Sequence, residues 1–579
     1  LPRPATARRS EPKQRGRSVA GEVNTYDLVV IGAGGAGLAA ALFGAIAGAS
    51  VLVVESTEFV GGTTAYSGGT IWIPNTLHAA KVNPDDSIAQ AETYLHAVLG
   101  NYAAPDLIRS FLEEGPRAIE TLERESQVRL RPYPLHPDYL SDLPGSTLNG
   151  RALEPLPFDG RLLGDKFGLL RPPIPEFTVL GGMMVDRNDI NQLLNLKKSW
   201  KSFRHSLGLL ARHARDRLGH KRGTRLVMGN ALIGRLLHSL LQRGVTIWTQ
   251  AAVDQLDREG GRIAGISLVK DGRRHDIRAR RGVILASGGF NRHPELRKEL
   301  LPEAEIHTPG APGHKGAALA LALAAGARMG ERNLENVFWA PVSVRKRGDG
   351  TTAVFPHFIF DRAKPGTLIV NAGGRRFLDE STSYHLIGKA MIEANRLAPS
   401  IPAFLIADEQ AVKAYGLGMV RPGGMGMEPL LRDGYLARAG TIAELAGKLG
   451  IDTAELQATV TRFNDHAAAG VDPDFGRGVT AYQRNLGDPK IGPNPTMRPL
   501  VQGPFYAIRL YPGDIGASAG LVTDAKARVL GQDGPIAGLY AVGNDQNSIM
   551  AGHYPGPGIT LGPGITFAFI AAKDALAGT

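Results

Sequence analysis

The sequence predicts an α/β protein in which a parallel-sheet unit is interrupted by an inserted α+β unit, and three observations predict it. Residues 26–55 (YDLVVIGAGGAGLAAALFGAIAGASVLVVE) alternate buried strand, glycine turn, small-residue helix and second strand. Residues 281–289 (RGVILASGG) repeat the order of strand then glycine turn. A third glycine-rich stretch, 538–562 (GLYAVGNDQNSIMAGHYPGPGITLG), follows a long region of different character.

Taken in order, 28–31 is a strand, 32–37 a turn, 37–47 a helix and 50–55 a second strand. Strands at 244–256 and 262–269, separated by polar turns, precede the one at 281–289. From about 302 the pattern changes: 315–329 is an alanine-rich helix, 336–372 is loop-rich, and 441–449 and 452–469 are helices. Sheet-like glycine patterning returns after about 497. This divides the chain into a disordered basic leader (1–25), a first domain (26–303 with 494–579) and an inserted domain (304–493) that would carry substrate.

Composition narrows the function classes. A chain of 579 residues needs more than one core. With no run of about 18 uncharged apolar residues, a transmembrane helix is not expected. The absence of cysteine removes disulfides, thiolate metal sites and redox thiols, and leaves the compartment undecided. The first 22 residues lack the apolar core of a signal peptide, so a cytoplasmic protein is expected.

The net charge of +11 sits in two patches, one in the leader and one at 195–222, which holds nine Lys/Arg and one Asp. No nucleic-acid-binding module accompanies them. Within 195–222, Trp200, Phe203, Leu207, Leu210, Ala214 and Leu218 recur at helical spacing between basic residues. A membrane-surface helix is one reading. The favoured one is a surface helix packing that stripe on the core.

Gly32-Ala33-Gly34-Gly35-Ala36-Gly37 has the G-x-G-x-x-G spacing, between strand and helix, with Glu55 closing the next strand. The first glycine permits the tight turn, the second lets backbone approach a pyrophosphate, and the third lets helix sit against strand. The helix N-terminus offers free N–H groups to phosphates. Glu55 suits ribose hydroxyls and disfavours a 2′-phosphate. In that context the motif indicates a Rossmann-type dinucleotide site.

A second hydroxyl- and glycine-rich loop, Gly61-Gly62-Thr63-Thr64-Ala65-Tyr66-Ser67-Gly68-Gly69, follows Glu55 and Ser56. Here the chain resembles the flavoprotein superfamily of fumarate reductases and 3-ketosteroid dehydrogenases, from residue 26 to 577. Ser287-Gly288-Gly289 and 538–562 stand in that superfamily's order. The resemblance implies FAD, with Gly62, Thr63, Thr64, Ser67, Gly68 and Gly69 at the cofactor. It also implies that Val253 contacts adenine through its backbone, and that Gly543, Asn544, Thr560 and Leu561 reach the flavin. No cysteine is present and no histidine stands beside the 61–64 loop in the sequence to suggest covalent attachment, so non-covalent FAD is expected. No metal site is expected.

Fumarate-type members place His and Arg around a dicarboxylate; the comparable stretch here, 512–520 (PGDIGASAG), has no His. The ketosteroid dehydrogenase pattern fits better, through Tyr554-Pro555-Gly556-Pro557-Gly558, 513–516 (GDIG), 520–524 (GLVTD) and 370–377 (VNAGGRRF) leading to Ser383-Tyr384. One departure is Asp379-Glu380, where that family more often has Asn-Glu.

The resemblance implies desaturation of a ring ketone: loss of an α-proton and transfer of a β-hydride to flavin N5. Charge gathers on the carbonyl oxygen, so donors aimed at it lower the barrier. By resemblance those donors are the Tyr554 hydroxyl and the Gly558 N–H, the base is Tyr384, and Tyr139 tunes it. An unmodified tyrosine, with a pKa near ~10, is a poor base at neutral pH. His553 could polarise the site or be structural; His357 and His385 receive no role. The expected partners are a small hydrophobic ketone, with a 3-ketosteroid ahead of a smaller cyclic ketone, and an unspecified electron acceptor. An enoate reductase of fumarate-reductase type and a non-catalytic flavin-binding or electron-transfer protein are the rival readings.

Overall fold

Residues 24–577 are described in a computed structural model; the leader expected at 1–25 lies almost wholly outside them. Apolar Leu28–Ile31 fill the end of the strand Asn24–Ile31, which runs parallel to Val51–Val54 on one side and to Arg273–Leu285 on the other. Thr246–Trp248 extends the sheet beyond Val51–Val54, while Arg262–Lys270 and Ala251–Glu259 add antiparallel strands beyond Arg273–Leu285. The distal strand Gly534–Ala541 joins parallel to Arg273–Leu285. The strands of the first and last glycine-rich segments therefore lie in one sheet, on opposite sides of Arg273–Leu285.

The helix Gly35–Ile46 packs on this sheet and against the terminal helix Leu561–Ala577. The close approach requires Gly37, where a Cβ would stand 2.0 Å from the Gly32 carbonyl oxygen. Gly32 itself has φ +108° and abuts the Ala286 carbonyl, so no side chain is tolerated in that turn.

The second sheet is antiparallel, ordered Thr352–Pro356, Val337–Lys346, Phe505–Ala517, Ala403–Asp408, Thr367–Val370, with Leu436–Ala439 also on Phe505–Ala517. Here the expected boundary at 494 is corrected. Phe505–Ala517 is the central strand of the inserted domain, and the chain rejoins the first sheet only with Gly534–Ala541. The glycines at 513 and 516 lie in that strand, so the sheet-like patterning after about 497 belongs first to the inserted domain's sheet.

The helix Trp200–Asp216 corrects a second expectation. Its apolar stripe does not pack on the core. The buried residues are Ser202, Ser206, His213 and Asp216, while Trp200, Phe203 and Leu207 are exposed. The polar face docks by hydrogen bonds: Ser202 Oγ to Gln192 (2.8 Å), His213 Nε2 to the Leu180 carbonyl (2.9 Å), and Asp216 accepting from Thr224 N and Oγ1 (both 2.8 Å). Among the described residues no helix is long and apolar enough to cross a membrane.

Candidate active site

The glycine loops meet at the N-terminus of Gly35–Ile46. A Cβ on Gly34 would meet nothing within 4 Å, so that glycine faces open space, while one on Gly62 would stand 3.2 Å from the Gly34 Cα, so the two loops approach closely through side-chain-free backbone. Thr64 Oγ1 accepts from Gly35 N at 3.2 Å, and Ser67 Oγ bridges the Thr64 carbonyl and Gly69 N. Gly68 adjoins Thr70. Buried Glu55 accepts from Ala33 N (3.1 Å) and from Thr57 N and Oγ1 (2.8 and 2.7 Å), which aims it at the strand's end beside Ser56. Ala251 N donates to the Glu55 carbonyl at 2.9 Å, placing Val253 on the adjoining strand.

The far segment closes on these loops through a residue the motif reading missed. Buried Asp545 accepts from Ser287 N, from Ser287 Oγ (3.0 Å) and from Gly289 N (2.8 Å). A single carboxylate thus pins Ser287-Gly288-Gly289 to Gly543–Asp545, and burial raises its pKa against these donors. Asn544 lies against Gly289, Gly543 against Ala36, and Leu561 against Gly35.

A histidine does stand beside the 61–64 loop, brought there by the fold. His314 lies 3.4–3.5 Å from Thr63 Oγ1 and against Gly288, and burial holds its pKa down to about 4. Arg171 and Arg292 lie in its field. Neither arginine has an ion pair among the described residues; Arg292 donates to the carbonyls of Thr308, Gly310 and Ala311, and buried Arg171 to Thr57 and Phe59. Bare glycine backbone, an open helix N-terminus, unpaired cations and one carboxylate at the strand end together fit a dinucleotide with a diphosphate centre.

The tyrosines form the second half of the site. Tyr139, Tyr384 and Tyr554 come from three distant parts of the chain and touch: the Tyr139 hydroxyl donates to that of Tyr384 at 3.2 Å. Tyr554 stacks on Tyr139 at 5.7 Å and lies 5.1 Å from Tyr384. Tyr139 is held from below. Its N–H and the Tyr94 hydroxyl both donate to the Pro555 carbonyl, at 2.8 and 2.6 Å. The adjoining Asp138, pushed up to about 6 by burial, binds Trp72, Thr147 and Arg151. Gly558 has φ +93° and a Cβ there would stand 2.4 Å from the Thr70 carbonyl oxygen, so the 554–558 run tolerates no side chain at that point.

A fourth tyrosine was not foreseen. Tyr482 is fully buried with its ring 4.6 Å from that of Tyr139. Behind it lies Arg362, also fully buried, whose guanidinium donates to the carbonyls of His357, Phe358, Glu380 and Thr382 and to no carboxylate among the described residues. Phe338 and Phe358 wall the cluster, 5.3 Å from Tyr554 and 4.9 Å from Tyr384. Burial pushes Tyr554 and Tyr482 up to about 12 and Tyr139 and Tyr384 well above the ordinary value; Arg362 works the other way on Tyr139 and Tyr482.

Of the histidines, His385 accepts from Trp339 N (3.1 Å) and lies 5.9 Å from the Tyr554 ring, so it packs behind that residue. His553 contacts the Met550 carbonyl and Tyr102, and His357 joins Asp361 and Ser343 in a buried network. Away from the site, His466, Asp472 and Asp474 gather within ligand distance, but Arg376 and Arg462 already pair with the two carboxylates.

Comparison with known proteins agrees with this geometry. The FAD binding domain family matches residues 27–561. The chain is 38% identical to the 4-oxocyclohex-2-ene-1-carboxylate 5-dehydrogenase of Sinomonas cyclohexanicum, over 95% of this chain and 93% of that protein. It is 37% identical to the 3-oxosteroid 1-dehydrogenase of Mycolicibacterium smegmatis, over 95% and 97%. The crystal structure of 3-ketosteroid delta1-dehydrogenase from Sterolibacterium denitrificans superposes with a TM-score of 0.89 at 34% identity, covering 96% of this chain and all of that one. A flavocytochrome c3 fumarate reductase, at 20% identity and TM-score 0.65, shares the fold. The chain belongs to the family of FAD-dependent CH–CH oxidoreductases that contains the 3-oxosteroid 1-dehydrogenases.

Proposed function

We propose that this enzyme is a 3-ketosteroid 1-dehydrogenase, which takes a hydrogen from each of two adjacent ring carbons beside a ketone. The observation that carries the reading is the contact of Tyr139, Tyr384 and Tyr554 inside an aromatic wall. The Tyr554 hydroxyl and the Gly558 N–H hold the ketone oxygen and stabilise the enolate charge that develops there. Tyr384 takes the α-proton. Its place as the first residue of the helix Tyr384–Asn395 puts it at the positive end of a helix dipole, which favours the phenolate. Tyr139 shares a proton with it and spreads the charge. When bound, non-covalent FAD supplies the two-electron acceptor for the hydride leaving the β-carbon.

The side chains touching the tyrosines support an apolar ring system over a charged one. Phe338, Phe358 and Tyr482 close the cluster around the tyrosines. The identity to the oxocyclohexene-carboxylate dehydrogenase supports a second reading, a small cyclic ketone acid.

The test is anaerobic mixing of the yellow holoenzyme with 4-androstene-3,17-dione, and separately with 4-oxocyclohex-2-ene-1-carboxylate, following flavin absorbance. Bleaching by the steroid with formation of the 1,4-diene supports the proposal; bleaching by the carboxylate alone selects the second reading. Bleaching by neither, with reduced enzyme reoxidised by fumarate, overturns both.

A further inference from the structure

We infer that Trp72 is a positioning residue, which sets Tyr139 and Gly558 at fixed places relative to the cofactor loop. The inference rests on the roles given above to Tyr139, Tyr384 and Gly558.

The reaction sets the requirement. An α-proton and a β-hydride leave neighbouring carbons of one ring, the first toward Tyr384 and Tyr139 and the second toward the flavin. The donors on the ketone oxygen must stand in fixed relation to both, since a misplacement of about 1 Å can cost a factor of about 10². These groups come from chain segments far apart in sequence.

Trp72 stands where they meet. It follows Gly69 closely, on the short strand Ile71–Trp72 that pairs with Ala152–Pro155, and it is fully buried. Its backbone N–H donates to the Gly558 carbonyl at 3.2 Å. Its indole N–H donates to Asp138, the neighbour of Tyr139, at 2.8 Å. The terminal run is shaped to it: a Cβ on Gly556 would stand 2.6 Å from the indole nitrogen, and one on Gly562 2.0 Å from the Trp72 carbonyl oxygen. One residue thus joins the cofactor loop, the Gly558 donor and Tyr139.

The anchor of the indole is rigid. The other Asp138 oxygen accepts from Thr147 N (3.0 Å) and Arg151 (2.8 Å), and Arg151 holds Asp86 through two further bonds of 3.0 and 2.6 Å. Asp86, Asp138 and Arg151 are all buried. Such a group is a weak source of stability, because desolvation offsets the attraction. It does supply direction: a carboxylate held by three donors cannot turn, and the backbone of Tyr139 follows it. Phe111 stacks on the indole at 6.1 Å, and the Arg151 guanidinium lies over it at 5.8 Å. Packing alone would be met by phenylalanine, which has no buried N–H to satisfy.

The experiment compares the wild-type holoenzyme with Asp138→Asn and with Trp72→Phe, which removes the indole N–H but keeps an aromatic ring and the backbone N–H. Flavin reduction at saturating ketone should slow about 10- to 100-fold in Trp72→Phe, with full FAD content and little change in the half-saturating ketone concentration. Because the two residues act through one bond, the double variant should be no slower than the slower single variant. Losses that multiply overturn the inference. So does loss of FAD, or a lower melting temperature, with the reduction rate intact, since either makes Trp72 a support of one loop or of the fold alone. Amide hydrogen exchange needs no turnover and separates this inference from the functional reading. Trp72→Phe should speed exchange in 137–141 and 554–560 together, even in an enzyme that no ketone bleaches. Exchange that rises in one of these segments alone, or in neither, overturns the inference.

Discussion

The hydroxyl of Tyr139 donates to the hydroxyl of Tyr384 at 3.2 Å, across 245 residues of sequence and between two domains. Neither residue could reach the other unless the Pro555 carbonyl held Tyr139 and the helix Tyr384–Asn395 presented its first residue to the same point. The base proposed above draws on two chain segments and needs both docked. Tyr384→Phe should therefore cut turnover by about 10²–10⁴ while FAD content stays full, the range for losing a positioned proton-transfer group. Tyr139→Phe should cost less, since Tyr384 keeps its own oxygen. Single-turnover flavin reduction measures both, and a fully active Tyr384→Phe enzyme would remove Tyr384 from the mechanism.

Asp545 joins the two cofactor loops with three hydrogen bonds from Ser287 and Gly289. Asp545→Asn turns an NH2 group toward donors that need an acceptor, at a cost of about 1–3 kcal/mol. The expected outcome is a lower melting temperature and FAD that is lost on gel filtration. An unchanged FAD-to-protein ratio would show that the loops hold without it.

Much of the cofactor half was legible because each part of its motif answers one local need. Gly32, Gly37 and Glu55 stand where turn, helix approach and strand end require them. The run Tyr554–Gly558 drew attention in the sequence, and the fold brings Tyr554 against Tyr139 and Tyr384. Tyr482, Asp545 and His314 were not legible, because they meet Tyr139, Gly289 and Thr63 only through the tertiary fold, the last two across 256 and 251 residues of sequence, and Arg362 carries no motif that marks it. Periodicity revealed the stripe on Trp200–Asp216 but not its direction. A helix can dock by hydrogen bonds from Ser202, His213 and Asp216, and hydrophobic patterning is blind to that.

His314 beside Thr63 makes the mode of flavin attachment worth testing. Precipitating the holoenzyme with acid should release all the yellow colour into the supernatant, as non-covalent FAD requires. His314→Ala should weaken FAD retention without changing that result. Colour that stays with the pellet would contradict the expectation and point to His314.

The pH dependence follows from burial opposed by one cation. Tyr384 and Tyr139 bind their protons more tightly than free tyrosine does. With Tyr384 as the proposed base, kcat/KM should climb with pH into the alkaline range rather than peak near 7. Arg362 acts in the other direction on Tyr139 and Tyr482, making their ionisation easier. Removing that charge with Arg362→Met should make Tyr139 harder to ionise and, through its hydrogen bond to Tyr384, move the rising limb to higher pH and slow the neutral-pH reaction. Arg362→Lys keeps a cation and should return part of the shift. Because Arg362 is fully buried, each variant needs intact FAD binding before its profile is read. Ultraviolet titration of tyrosinate gives a second readout that does not depend on turnover. A limb that stays in place with full FAD binding would mean that Arg362 only braces the carbonyls of Glu380 and Thr382.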